Sequence, residues 1–317
     1  MPEPEPWYKR HHLVLFGLII LGVVVVLAIG NSGDASRLLT PDETTSVSDA
    51  PKNNPADAPK DSLGADSVDS GKLRELVQKN SQAPIDTTSL DSQINSIMSS
   101  NGDITFGISI KDLNTGTIYN YGNQAPMTAA SVAKVLTAVD YLKQVELGNK
   151  SLSTVMVDGN TAQYDMEQMI VVSDNDAWHV LNEDLGYPQM QDYAVSIGIN
   201  SYDYVNNTLS AGDTTNLLGD LYGRKLINES NTQLLLSYME RANYRDLIIP
   251  AVPTTDTVYH KAGEYLSSLN DAAIITNSTN AIVISIYTES LASYDKGRVS
   301  SLMQQITTPT LQTFHLN

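Results

Sequence analysis

The feature that most constrains this chain is an apolar run near its start. Residues 13–30 read LVLFGLIILGVVVVLAIG, without a charged side chain. A helix of roughly 17–25 such residues crosses a bilayer, because lipid offers the backbone no hydrogen-bond partner outside the helix itself. Lys9 and Arg10 precede the run, whereas Asp34 and Asp42 follow it. The positive-inside bias therefore places residues 1–12 in the cytoplasm and everything beyond residue 30 outside. A cleaved signal peptide is the competing reading; its apolar core is usually about 7–15 residues, and Ala28-Ile29-Gly30 is a tolerable cleavage site. Both readings export the rest of the chain. A retained single-pass anchor at 13–30, in the cell membrane, is the expectation.

The anchor pushes any folded domain well downstream. Residues 31–69 are mostly Ser, Asp, Pro, Ala and Thr, too polar to bury enough surface to offset their conformational entropy. A short helix over 72–79 and a loop over 81–87 complete a linker at 31–87. Such a tether lets an anchored domain reach a layer some distance from the membrane. The folded domain is expected over 88–317, as a monomer.

Within that domain, Leu90, Ile94 and Ile97 recur at helical spacing and stop at Asn101-Gly102. Residues 104–112 and 117–121 read as strands, joined by the turn residues Asn114-Thr115-Gly116. A helix containing Ser131 and Lys134 follows and is stopped by Gly148. Helices are predicted over 164–172, 177–184, 188–198, 211–221 and 232–242. Strand character returns at 258–262, 272–276 and 281–287, and a final helix covers 293–313. Strands at both ends with helices between them give an α+β fold: an antiparallel sheet flanked by terminal helices, plus an all-helical lobe.

Composition then removes several chemistries. A net charge of −17 argues against nucleic acid and against a polybasic attachment to anionic lipid. With no cysteine, disulfides, thiolate metal sites, iron–sulfur clusters, a cysteine nucleophile and a lipoprotein anchor are all excluded. Neither a metal nor another cofactor is expected.

What remains is hydroxyl and amine chemistry. Ser131 and Lys134 stand three residues apart, on one face of a helix, where an amine can take a hydroxyl proton. Ser173-Asp174-Asn175 falls between two helices, and taken alone reads as a helix cap. Lys261-Ala262-Gly263 sits at a strand edge, where the glycine admits a substrate backbone and the lysine attracts an anion.

In that order, Ser-x-x-Lys, Ser-Asp-Asn and Lys-x-Gly resemble the motif set of class A β-lactamases and penicillin-binding proteins. The likeness extends over about 104–288. It includes Lys111 to Gly116 before the nucleophile helix, Leu209 to Asp213 at the start of a later helix, and Asn270-Asp271-Ala272-Ala273 on a central strand. The resemblance implies a β-lactamase/transpeptidase-like fold and roles for each motif. Ser131 would form an acyl-enzyme with a β-lactam or a cell-wall peptide amide, and Lys134 would be the general base. Ser173 would pass a proton to the leaving nitrogen while Lys261 steers a substrate carboxylate. Asn175 would hold the substrate amide, with Ala262 and Gly263 lining the substrate strand. The Ser131 N–H and one from Tyr265 would form the oxyanion hole.

Two departures from the family pattern stand out. Class A β-lactamases carry a loop glutamate that activates the deacylating water; residues 199–207 contain only Asp203, which reads as a turn aspartate. Ala262 stands where the family has Thr or Ser, so one hydrogen bond to the substrate carboxylate is lost. Trp178 and His179 read as packing residues. Asn206, Asn228 and Asn277 lie in Asn-x-Ser/Thr triplets. The leading expectation is an exported serine hydrolase with deacylation in doubt. The alternatives are a penicillin-binding-protein-like D,D-peptidase and a non-catalytic module that binds the cell wall or a partner on the same fold.

Overall fold

The computed structural model describes residues 85–316. The expected anchor at 13–30, the helix at 72–79 and nearly all of the linker lie outside the described residues. Among the described residues no helix is long and apolar enough to cross a membrane.

Helix α1 (Thr88–Ser100) buries Leu90 and Ile94, then β1 (Ile104–Asp112) and β2 (Ile118–Gly122) form a hairpin. The hairpin turn is set by Asp112, whose carboxylate accepts from the Asn114 N–H and the Thr115 hydroxyl, and by Gly116 at φ 78°. A two-residue strand, β3 (Met127–Thr128), leads into a 3₁₀ turn at Ala130–Ala133 and helix α2 (Lys134–Glu146). Gly148, at φ 76°, turns the chain out of α2.

The helical lobe continues with α3 (Ala162–Val171), α4 (Asn175–Leu185) and α5 (Tyr187–Ser196). Strand β4 (Thr208–Leu209) pairs with β3. Helices α6 (Ala211–Tyr222) and α7 (Glu229–Glu240) follow, capped by Ser210 and Asn228. Three long strands, β5 (Thr257–Tyr265), β6 (Ser268–Thr276) and β7 (Ala281–Ser290), precede α8 (Lys296–Thr313).

The five long strands form one antiparallel sheet in the order β2-β1-β7-β6-β5. Central β7 and β6 are buried on both faces because helices cover both sides. One apolar cluster joins the sheet to the helical lobe through Ile274, Val283, Leu136 and Leu217. The other joins its opposite face to α1 and α8 through Ile108, Ile284, Leu90 and Ile306. The expected α+β architecture is therefore present.

Boundaries moved where pairing, not periodicity, sets them. β5 runs three residues past the expected 262, because Gly263, Glu264 and Tyr265 pair with Asn270, Leu269 and Ser268. The last helix starts at Lys296, where the Asp295 side chain accepts from the Arg298 N–H. The β3–β4 pair was not anticipated; two-residue strands carry no periodicity.

Candidate active site

Ser131 sits in the 3₁₀ turn, one turn before α2 proper. The residue before it, Ala130, has φ 49°, a left-handed conformation that alanine rarely adopts. Two distant asparagines hold it there. Asn207 Nδ2 donates to the Ala130 carbonyl at 3.1 Å, and the Ala129 N–H returns a bond to the Asn207 carbonyl at 2.8 Å. Asn270 Nδ2 donates to the carbonyls of Thr128 and Ala129 at 2.7 and 3.2 Å. Ser131 itself is half-buried.

Strand β5 passes against this turn. A Cβ on Gly263 would lie 2.6 Å from the Ser131 nitrogen and 2.9 Å from the Ala129 oxygen. Only glycine allows that approach. The crowding at Gly263 thus comes from the chain's own nucleophile turn.

Ser173 stands between α3 and α4, also left-handed at φ 62°. The Asp174 carboxylate caps α4 by accepting from the Asp176 and Ala177 N–H groups at 2.8 and 2.9 Å. One tripeptide therefore does both things its sequence suggested: Asp174 caps, while its neighbours face the cleft. Lys134 Nζ donates to the Ser173 carbonyl at 2.8 Å and to Asn175 Oδ1 at 2.7 Å, and lies 3.3 Å from Ser173 Oγ. Its hydrogen bonds go to this turn, not to Ser131. From β5, Lys261 Nζ donates to Ser173 Oγ at 2.9 Å and to the Ala262 carbonyl at 3.0 Å.

Both lysines are buried. Desolvation, helped by repulsion from Lys261 and opposed by Asp174, lowers the Lys134 pKa to about 6. Burial lowers Lys261 to about 8, against the attraction of Asp271. Near neutrality Lys134 is then mostly a neutral amine with two hydrogens and a lone pair. The Ser173 carbonyl and Asn175 Oδ1 take the hydrogens, which leaves the lone pair toward Ser173 Oγ. Lys261, charged, occupies a lone pair of that same hydroxyl. Ser173 is thus set to give its proton to one lysine while the other holds its orientation.

Ser131, Lys134, Ser173, Asn175, Lys261 and Gly263 are brought together around this cleft. Ala262 points the other way: it is buried in the apolar cluster on the face toward α1 and α8, and offers the site only its carbonyl. Tyr265 ends β5, opposite Ser268, and is 55% exposed.

Three contributors were not assigned from sequence. Asn207 and Asn270 fix the Ser131 turn. Trp178, read as packing, lies with its ring centroid 5.1 Å from Lys134 Nζ and its Nε1 donating to Thr137 Oγ1 at 2.8 Å. Its spacing from Asn175, three residues along a helix, was a usable signal. His179 is exposed, between Tyr187 OH and Glu183 Oε1, each at 3.2 Å.

Across from Lys134, between α4 and the 199–208 loop, is a cavity of about 280 Å³. Trp178, His179, Tyr187, Tyr202 and Tyr204 contribute to its walls, and no carboxylate lines it. Asp203 is spent on its own turn, accepting from the Val205 N–H at 2.8 Å, the Asn206 N–H at 3.2 Å and Asn206 Nδ2 at 2.7 Å. Among the described residues no group of three His, Asp or Glu side chains is placed to hold a metal ion.

The fold is the one that β-lactamases and PBP-A share. Residues 89–314 match the model of the beta-lactamase enzyme family, and the chain belongs to that family. Comparison with curated proteins gave no match. Among solved structures, PBP-A superposes with a TM-score of 0.68 at 22% identity, over 74% of this chain and 99% of PBP-A. A leucine-to-glutamate variant of PBP-A, as its acyl-enzyme complex with penicillin G, matches equally well. An ancestral class A β-lactamase, GNCA, gives a TM-score of 0.66 at 20% identity, over 71% of this chain and 100% of its own. At these identities the likeness is one of fold.

Proposed function

We propose that this chain is an exported, membrane-anchored serine hydrolase that forms an acyl-enzyme at Ser131 with a β-lactam or a cell-wall peptide amide. The observation that carries the reading is Lys134: a fully buried amine one turn along from Ser131, hydrogen-bonded to the Ser173 carbonyl and Asn175 Oδ1, in surroundings that lower its pKa to about 6. Ser131 Oγ attacks the amide carbonyl and its proton passes to Lys134, whose lone pair swings from Ser173 Oγ to Ser131 Oγ to receive it. The tetrahedral oxyanion collects hydrogen bonds from the Ser131 N–H and from β5. Collapse breaks the C–N bond, and Ser173 delivers a proton to the leaving nitrogen, regaining one from Lys134. Lys261 supplies the positive charge for a substrate carboxylate.

Deacylation is proposed to be slow, in the manner of a penicillin-binding protein, because the cavity facing the acyl group is lined by aromatic rings and amides without a carboxylate to activate water. The test is intact-mass measurement of the full chain after exposure to penicillin G. A single adduct, absent in Ser131→Ala, is expected, with a lifetime of minutes or longer. No adduct at saturating drug on a folded protein defeats the enzyme reading in favour of a binding module. Loss of the adduct within seconds defeats the slow-release reading.

A further inference from the structure

The face of β5 and β6 turned away from the cleft holds an ion pair that this chemistry does not use. His260, one residue before Lys261, and Asp271, on β6, are both fully buried. His260 Nδ1 lies 3.0 Å from Asp271 Oδ1, and its Nε2 lies 3.3 Å from the Ala242 carbonyl. A carboxylate and a carbonyl both accept, so both contacts are met only when ring and carboxylate share a proton between them while Nε2–H donates to the carbonyl. The other carboxylate oxygen, Asp271 Oδ2, accepts the Ile248 N–H at 3.3 Å. An apolar pair of similar volume would hold two strands together at least as well as a buried ion pair. Its presence needs another reason.

Two connections lead from the pair to the site. Along the chain, it grips Ala242 and Ile248, the two ends of a short segment. The Asn243 N–H in that segment donates to the Val171 carbonyl at 2.8 Å, two residues before Ser173. Through space, the Asp271 carboxylate attracts the Lys261 ammonium from across the sheet. On the cleft side Lys261 faces Lys134 from α2, and Lys134 in turn faces Asp174 from the Ser173 turn. Glu264, further along β5, is engaged by Lys296 at 2.9 Å.

We propose that the buried His260–Asp271 pair is a positioning unit for the Lys261–Ser173 contact: it clamps the 242–248 segment that holds the Ser173 turn, and it brackets Lys261 on β5, with His260 preceding it and Asp271 paired with Ala262, the residue that follows. The kinetic side of this inference rests on the acyl-enzyme reading above; the charge on Lys261 does not.

The charges give the proposal a sign that packing alone lacks. His260→Gln leaves Asp271 unbalanced, so Lys261 keeps its proton to higher pH. Asp271→Asn removes the carboxylate that attracts Lys261, so Lys261 loses its proton at lower pH. The experiment is a ¹³C NMR titration of the lysine Cε signals of the full chain, with Lys261 assigned through Lys261→Arg. The Lys261 midpoint is expected to rise in His260→Gln and fall in Asp271→Asn, each by on the order of half to one pH unit. Movement in the same direction in both variants, or in neither, overturns the proposal. The alkaline limb of acylation by penicillin G is expected to move with the midpoint. If the parent protein forms no adduct at any pH, the acyl-enzyme reading falls and the NMR result alone decides this one. Should a single variant not fold, His260→Phe combined with Asp271→Leu removes both charges while keeping the volume filled. That variant is expected to fold and to acylate about tenfold more slowly, and acylation at the parent rate overturns the positioning role.

Discussion

The two walls of the cleft are built from different materials. One wall, made by α2, the Ser173 turn and β5, packs two lysines around a serine in a network where both amines converge on the Ser173 hydroxyl. The other wall, made by the 199–208 loop, presents Tyr202, Tyr204 and Asn207 and keeps its one carboxylate, Asp203, turned into its own backbone. The first wall serves bond making. The second serves placement: Asn207 pins the turn that carries Ser131. On the proposed function, acyl transfer and acyl release would depend on opposite sides of one cleft.

The largest test of that division removes the base. Lys134→Met is expected to slow acylation by penicillin G by about 10²–10⁴-fold, measured as the second-order rate of adduct formation. Lys134→Arg should not rescue it, because a guanidinium does not give up its proton. A methyl group at Gly263 should come next. Gly263→Ala drives a carbon toward the Ser131 nitrogen, and a loss of roughly 10²-fold is expected from a misplacement on the order of an ångström. A smaller loss would mean that β5 yields more easily than its pairing suggests.

The loop wall is tested by adding what it lacks. Tyr204→Glu places a carboxylate on the cavity and is expected to shorten the adduct lifetime about tenfold, with acylation little changed. Slower acylation together with unchanged release would break the proposed separation. The pH profile sharpens the first wall further. Acylation should rise as Lys134 loses its proton near pH 6 and fall as Lys261 loses its charge near pH 8. In Lys261→Ala the remaining activity should have its acid limb moved upward, since the repulsion that helps keep Lys134 neutral is gone. The smallest effect is assigned to Asp203→Asn, for which both acylation and release should stay within about twofold of the parent.

The separation also explains what could be read from sequence. Each of the three short motifs is local, and each reports a side chain whose position follows from a helix start or a strand edge. Their order along the chain pointed to the family and the α+β layers. The Ser131 turn was harder to read. A helix spacing places Ser131 on α2, whereas the backbone at Ala130 departs from helix because Asn207 and Asn270 bind it from distant parts of the chain. Asparagine in a loop looks like turn chemistry wherever its partner is. Ala262 shows the same limit: the motif placed it beside the substrate, and the alternation of β5 turns its side chain into the opposite core.

The two buried lysines have a consequence for the folded state as a whole. In the unfolded chain they keep their protons up to about pH 10.4, whereas in the fold Lys134 gives its proton up near pH 6 and Lys261 near pH 8. Between those values and the unfolded one, the unfolded chain binds more protons, so these two residues make stability rise with pH. At neutral pH they cost the protein on the order of several kcal/mol; the Lys134 share already shrinks above about pH 6, and the Lys261 share only above about pH 8, where that residue no longer carries its charge. Whatever optimum this domain has for acylation, it is held on the slope of its stability curve and not at the crest.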